Sequence, residues 1–240
     1  MKKLWGIGHA LGTDGSRCAG SSRSKVMKKL FITTLSLISL LSNISAQHSN
    51  YNPMLNVKEL RSIEAGEIVM RKIDSKHEKG QNIETIGLIN ASGETLLNIL
   101  TDYVAYPEFM SAVDRVEVVD QNGDESILNY ILVPMLGFTK KYRTNIAPAK
   151  LEEQVWKIEW HLVEWPGLTP METIGDTQGY WLIIEQNPNR SLVQYYVYSD
   201  PGSVPFGLGG IVDALSRDSI EDVFKETRDH AEKLVRLSAP

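Results

Sequence analysis

Cysteine is almost missing from this chain: 240 residues hold one, Cys18. A single thiol makes no intramolecular disulfide and no cysteine-based zinc cluster. Histidine is scarce as well, with five residues and no HExxH pair or closely spaced ligand set. There is no GxSxG elbow and no GxxxxGK[ST] loop. Phe206-Gly-Leu-Gly-Gly210 is rich in glycine, but it lacks the GxGxxG spacing and a following Lys-Ser or Lys-Thr. These absences remove the common nucleophilic, metal and phosphate-binding templates, and no catalytic residue, metal site or cofactor is assigned.

A membrane-spanning run is also lacking. The longest apolar stretch, Leu30 to Leu41, is shorter than the ~20 residues a bilayer requires. It follows Met27-Lys28-Lys29 and precedes Ser42-Asn-Ile-Ser-Ala46, which gives the charged, apolar and small-residue blocks of a secretory signal in order. Positions 27–46 are therefore expected to be a signal peptide and 1–26 an upstream extension without a structural role. Mature protein would begin near Gln47, lack Cys18, and be secreted or periplasmic, with no stable membrane insertion after processing.

Charge of one sign then dominates. Positions 1–46 carry seven of the 25 Lys and Arg and one of the 30 Asp and Glu, so the remainder holds 18 bases and 29 acids, a net charge near −11. Such a surface repels phosphate backbones and anionic headgroups at long range, which argues against a nucleic-acid partner. The remaining length suits one domain with a sizeable core.

What is present is strands. After a polar lead-in over 47–62 with a short helix near Val57 to Ile63, period-two segments occupy Glu67 to Ile73 and Ile83 to Asn90. Ser92 offers an N-cap for a helix from Gly93. Further strands are predicted over Val113 to Val119, Ser126 to Val133, Phe138 to Ile146, Gln154 to Val163, Gly175 to Glu185 and Ser191 to Ser199. Asn122-Gly123 marks one hairpin and Asn187-Pro-Asn189 another turn. A final amphipathic helix places Ile220, Val223, Phe224, Thr227, Ala231 and Leu234 on one face, with Ser219 as its cap.

Between the helix from Gly93 and the third strand lies Leu-Thr-Asp-Tyr-Val-Ala-Tyr-Pro-Glu-Phe-Met110. Pro107 disfavours helical dihedrals at Tyr106 and forces a break, while Tyr103, Tyr106 and Phe109 recur every three residues and gather on one side as an aromatic plug. This segment, the strand-rich middle, and Tyr198-Ser-Asp-Pro-Gly-Ser-Val-Pro205 entering the last helix resemble the START-like superfamily of helix-grip proteins. That superfamily includes lipid-transfer START domains, coenzyme Q-binding proteins and polyketide cyclases. The resemblance covers Gly66 to Leu237 and implies an α+β fold over 63–240, a curved antiparallel sheet wrapped around a long C-terminal helix. It implies non-covalent binding or transport of a lipid or other hydrophobic small molecule. The alternatives are a cyclase or dehydratase using the same cavity, or an accessory protein that binds a partner through its concave face.

By the period-two rule Trp156, Ile158, Trp160 and Leu162 share a strand face, as do Tyr180, Leu182 and Ile184, and Gln194, Tyr196 and Tyr198. If these faces look toward the last helix, Trp156, Trp160, Tyr180, Tyr196 and Tyr198 line a binding cup. Arg143 is a candidate anchor for a ligand carboxylate or carbonyl, although Lys141, Arg143 and Asn145 alternate like an exposed face. Gly207, Gly209 and Gly210 are expected to lower the cost of opening a gate at the mouth that the resemblance places there.

Overall fold

A computed structural model describes residues 51–74 and 79–238. The expected leader and Cys18 lie outside the described residues, as does His77. Eight strands form one antiparallel, curved and unclosed sheet: β1 (Val69–Ile73), β2 (Gln81–Ile89), β3 (Val113–Asn122), β4 (Glu125–Leu132), β5 (Lys141–Glu152), β6 (Val155–Val163), β7 (Asp176–Asn187) and β8 (Arg190–Asp200). Their order is β1-β2-β8-β7-β6-β5-β4-β3, so the meander from β3 to β8 is extended at its β8 edge by the β1–β2 hairpin, and β1 and β3 are the two edges. The Asn122-Gly123 turn joins β3 to β4 with Gly123 at φ 62°, a conformation that only glycine adopts cheaply.

Helix α1 (Val57–Glu64) opens with a capping box, the Asn56 side chain accepting from the Glu59 amide and Glu59 accepting from the Asn56 amide. It lies on the convex side, where Ile63 packs with Ile86, Val155, Leu182, Ile184 and Leu192. Arg71 fixes it by donating to both carboxylate oxygens of Glu59, at 2.8 and 2.7 Å, and to Glu84 at 3.1 Å.

The concave side holds the main core. Helix α2 (Gly93–Thr101) starts at Ser92 as the sequence predicts, and its first amide donates to the Glu185 carboxylate at 2.6 Å. A carboxylate there also complements the helix dipole. The Tyr-Pro segment is a 3-10 helix (Tyr103–Glu108), whose three-residue period stacks Tyr103, Tyr106 and Phe109 edge to face, with centroids 6.0 and 5.8 Å apart. Phe109 in turn stacks on His230 of the last helix at 4.3 Å.

That last helix, α3 (Gly209–Ser238), has 30 residues where the amphipathic pattern predicts about eighteen. Ser219 is therefore mid-helix and caps nothing. Apolar residues continue at helical spacing upstream of Ser219, at Leu208, Ile211, Val212 and Leu215, but a reading that starts a helix at a polar cap residue stops at Ser219 and misses those turns. At ~1.5 Å per residue α3 runs ~45 Å, long enough to cross the whole concave face. Phe224, fully buried, meets Trp181 with ring centroids 5.9 Å apart.

Candidate ligand cavity

Sheet register decides which side chains share a face. Trp160 pairs with Gly179, and Gly179 with Val197; Ile158 pairs with Trp181, and Trp181 with Tyr195. Directly paired residues point to the same side of a sheet. The concave face is thus built from Trp156, Ile158 and Trp160 of β6, Gly179, Trp181 and Ile183 of β7, and Val193, Tyr195 and Val197 of β8.

This corrects the expected cup. Tyr180 and Tyr196 stack on each other at 5.3 Å on the convex face, with the Lys157 ammonium 4.7 Å above the Tyr180 ring. Tyr198 shares their side of β8 and donates to the Lys79 carbonyl at 3.1 Å. Within each strand the alternation was read correctly, but β7 and β8 carry large side chains on both faces, so composition alone left their phase open. Arg143 is also convex: its Nε donates to Asn129 at 2.8 Å and its guanidinium lies 5.5 Å from the Trp165 ring centroid. Trp156 is concave but solidly packed. A Cβ on Gly93 would stand 2.1 Å from its ring, so α2 approaches this indole as closely as glycine permits. Of the six residues expected to bind ligand, Trp160 lines the cavity.

That cavity lies under the N-terminal half of α3 and has a volume of about 440 Å³. Along β5 the inward row runs Lys140, Tyr142, Thr144, Ile146. Tyr130 of β4 stacks on Tyr142 at 4.9 Å, and Tyr195 stacks on Trp181 at 4.1 Å. Val212, Ser219, Ile220 and Val223 of α3 form the roof, and Tyr106 and Met110 carry the wall into the aromatic plug. Burial pushes the phenols of Tyr106, Tyr130, Tyr142 and Tyr195 well above the ordinary tyrosine range, so these rings stay neutral and can donate a proton in a hydrogen bond but not accept one as a base. Thr144 Oγ1 is buried without a hydrogen-bond partner among the described residues.

Three loops meet at one end. The β4–β5 connection turns at Leu136 (φ 52°) and Gly137 (φ 85°), both in the left-handed region, and closes on the Met135–Phe138 bridge. Lys140 Nζ donates to Thr173 O at 2.7 Å in the β6–β7 loop and to Ser203 O at 2.8 Å in the β8–α3 loop. Of the expected gate glycines, Gly207 precedes α3 with φ 83°, while Gly209 and Gly210 are its first two residues. None of the three lines the cavity.

Sequence reasoning passed over Lys140, Tyr130, Tyr142, Trp181 and Tyr195. The signal for Lys140 was available: in Lys-Lys-Tyr-Arg-Thr-Asn-Ile146, the parity that places Arg143 outside puts Lys140 inside with Tyr142 and Ile146. Four carboxylates on or beside the strands that could serve as acid and base, Glu159, Glu164, Glu185 and Asp200, are absent from the wall. Glu159 pairs with Lys157, Glu185 caps α2, and Asp200 accepts from the Gly202 amide.

Residues 89–209 match the family model described as polyketide cyclase / dehydrase and lipid transport. The chain belongs to this family. No curated protein matches it in sequence. Among solved structures, the STAR-related lipid transfer protein of Xanthomonas axonopodis (fragment 25–204) superposes with a TM-score of 0.60 at 15% identity, over 69% of this chain and 93% of that one. Human StAR-related lipid transfer protein 5 gives 0.61 at 10% identity, over 88% of this chain and 99% of that one. Zhui aromatase/cyclase from Streptomyces sp. R1128 gives 0.52 at 13% identity, over 70% and 96%. At these identities the likeness is one of fold, and it extends to carriers and cyclases alike.

Proposed function

We propose that this protein binds and carries a lipid or other hydrophobic small molecule, non-covalently, in an extracytoplasmic compartment. The observation that carries this reading is the concave cavity of about 440 Å³, walled by aromatic and aliphatic side chains with a few polar groups at one end. That size falls within the ~300–1,000 Å³ typical of small-molecule sites. At ~30 Å³ per water-sized unit it holds about 15 such units, the bulk of one acyl chain or a compact ring system. A two-chain phospholipid is too large for it unless the loops part.

The cyclase reading draws on the family and on the tyrosine hydroxyls along the wall. Against it, Asp, Glu and His are absent among the described residues lining the cavity, and the phenols are held neutral. Organic extraction of the purified full chain followed by mass spectrometry tests the choice. A co-purifying hydrophobic molecule at near-stoichiometric yield supports carriage. An empty protein that cyclises a poly-β-ketone substrate with turnover would replace it with the enzymatic reading. The compartment rests on the signal-like order of residues 27–46, and the intact mass of exported protein checks it.

A further inference from the structure

Lys140 is the one charged side chain among the described residues on the cavity wall, and its surroundings are unusual for a lysine. It is 6% exposed. A buried ammonium is costly unless its charge is compensated. Its three hydrogens meet two carbonyl oxygens, Thr173 O and Ser203 O, which are neutral. Among the described residues no carboxylate lies within ion-pair distance. Asp200 is near enough to be felt electrostatically, but its Oδ1 is taken by the Gly202 amide at 2.9 Å. One donor hydrogen has no partner among the described residues, at the loop end of a largely apolar cavity.

Neighbouring groups extend this end. Thr177 and Ser199 are paired across β7 and β8 and both line the cavity, and the Thr177 hydroxyl donates to Tyr198 O at 3.1 Å. Deeper in, the wall passes to Trp160, Trp181, Tyr195, Tyr130 and Ile146. The cavity is therefore polarised, cationic at the loop end and aromatic at the other.

We propose that Lys140 is the anchor for a single anionic headgroup, and that the ligand is a monocarboxylic acid with one acyl chain or a compact ring system, its apolar part against Trp160 and Tyr195. This deepens the carrier reading and rests on it. One cation with one free donor matches a monoanion, whereas a phosphomonoester at neutral pH brings close to two charges. Burial pulls the Lys140 ammonium below the ordinary lysine range, with Asp200 partly offsetting that shift, which is the sign of a charge short of counter-charge.

The test compares dodecanoate with dodecanol of equal chain length, read by quenching of intrinsic tryptophan emission in the full chain and in Lys140→Met and Lys140→Arg. Wild type should bind the acid about tenfold or more tightly than the alcohol, the range of a charge-assisted hydrogen bond. Lys140→Met should bring the ratio of acid to alcohol affinity to about one, whatever the loss of the loop ties does to both, and Lys140→Arg should keep part of the preference. Equal affinity of wild type for acid and alcohol would overturn the anchor while leaving the carrier reading intact, and this arm needs no variant to fold. An acid preference that survives in Lys140→Met would reduce Lys140 to a staple between loops. Binding of neither compound, nor of a broader apolar panel, would remove the carrier reading itself.

Discussion

Trp156 and Trp160 stand on the same face of the same strand, four residues and about 13 Å apart, yet one is sealed in a solid core and the other borders a cavity. The difference lies in what covers them. Over Trp156 sits α2, drawn in by Gly93 until the helix backbone touches the indole. Over Trp160 no helix sits as close; the roof is the N-terminal half of α3, and the end is closed by three loops tied at Lys140. α3 itself repeats the contrast, since Phe224, Thr227 and Ala231 are in the solid part and Val212, Ile220 and Val223 roof the hollow part. Fold stability and ligand space are thus divided along one sheet.

The largest expected effects lie at the solid end. Phe224→Ala and Trp156→Ala should each cost about 3–5 kcal/mol in chemical denaturation, and Gly93→Ala about 1–3 kcal/mol, because the new methyl must displace the Trp156 ring. A loss below about 0.5 kcal/mol for Phe224→Ala would mean that this helix face is not packed, and the division drawn above would collapse.

The hollow end should respond in the opposite way. Trp160→Ala removes a partly exposed ring, so its stability cost should stay below about 2 kcal/mol, while affinity for an apolar ligand should fall about tenfold or more. Equal stability costs at Trp156 and Trp160, or unchanged binding in Trp160→Ala, would show that the cavity end is core like the rest.

Alkaline pH separates the two regions by titration. Tyr106, Tyr130, Tyr142 and Tyr195 ionise in the folded protein only above the ordinary tyrosine value of 10.0. The unfolded chain would release these protons first, so folded stability is fully present below about pH 10 and declines above it, as the unfolded state binds fewer protons. Lys140 works in the other direction below its unfolded value of 10.5. Its lowered value in the fold means stability rises with pH between the folded and unfolded values. Four phenols against one amine should give a net loss beyond about pH 10. Ultraviolet titration should show a group of tyrosines that ionise together with unfolding; smooth independent titration of all nine tyrosines would contradict their burial.

How much of this was written in the sequence depends on range. Local signals were legible: the Ser92 cap, the Asn122-Gly123 hairpin, the strand alternation and the aromatic triplet at Tyr103, Tyr106 and Phe109 all depend on residues a few positions apart. The phase of β7 and β8 was not. Tyr180 and Trp181 are both large, as are Tyr195 and Tyr196, and only the pairing of Trp181 with Ile158 settles which looks inward. Lys140 was legible by parity, but a lysine in an acidic chain reads as surface until its two carbonyl partners, 33 and 63 residues away, are seen.

The smallest expected effect is also the sharpest check on face assignment. Tyr196→Phe deletes a hydroxyl that donates to Asn82 Oδ1 at 3.2 Å on the convex face, and leaves the ring stacked on Tyr180. A partly buried hydrogen bond of this kind contributes about 0.5–1.5 kcal/mol, so denaturation should register a small loss. Ligand affinity should not move, because the sheet stands between Tyr196 and the cavity. Tyr195→Phe, one residue along, removes a hydroxyl from the cavity side and should alter binding of any ligand with a polar group in reach. If Tyr196→Phe weakened binding while Tyr195→Phe did not, the inward face of β8 would be the one carrying Gln194, Tyr196 and Tyr198, and the register linking β6, β7 and β8 would have to be redrawn.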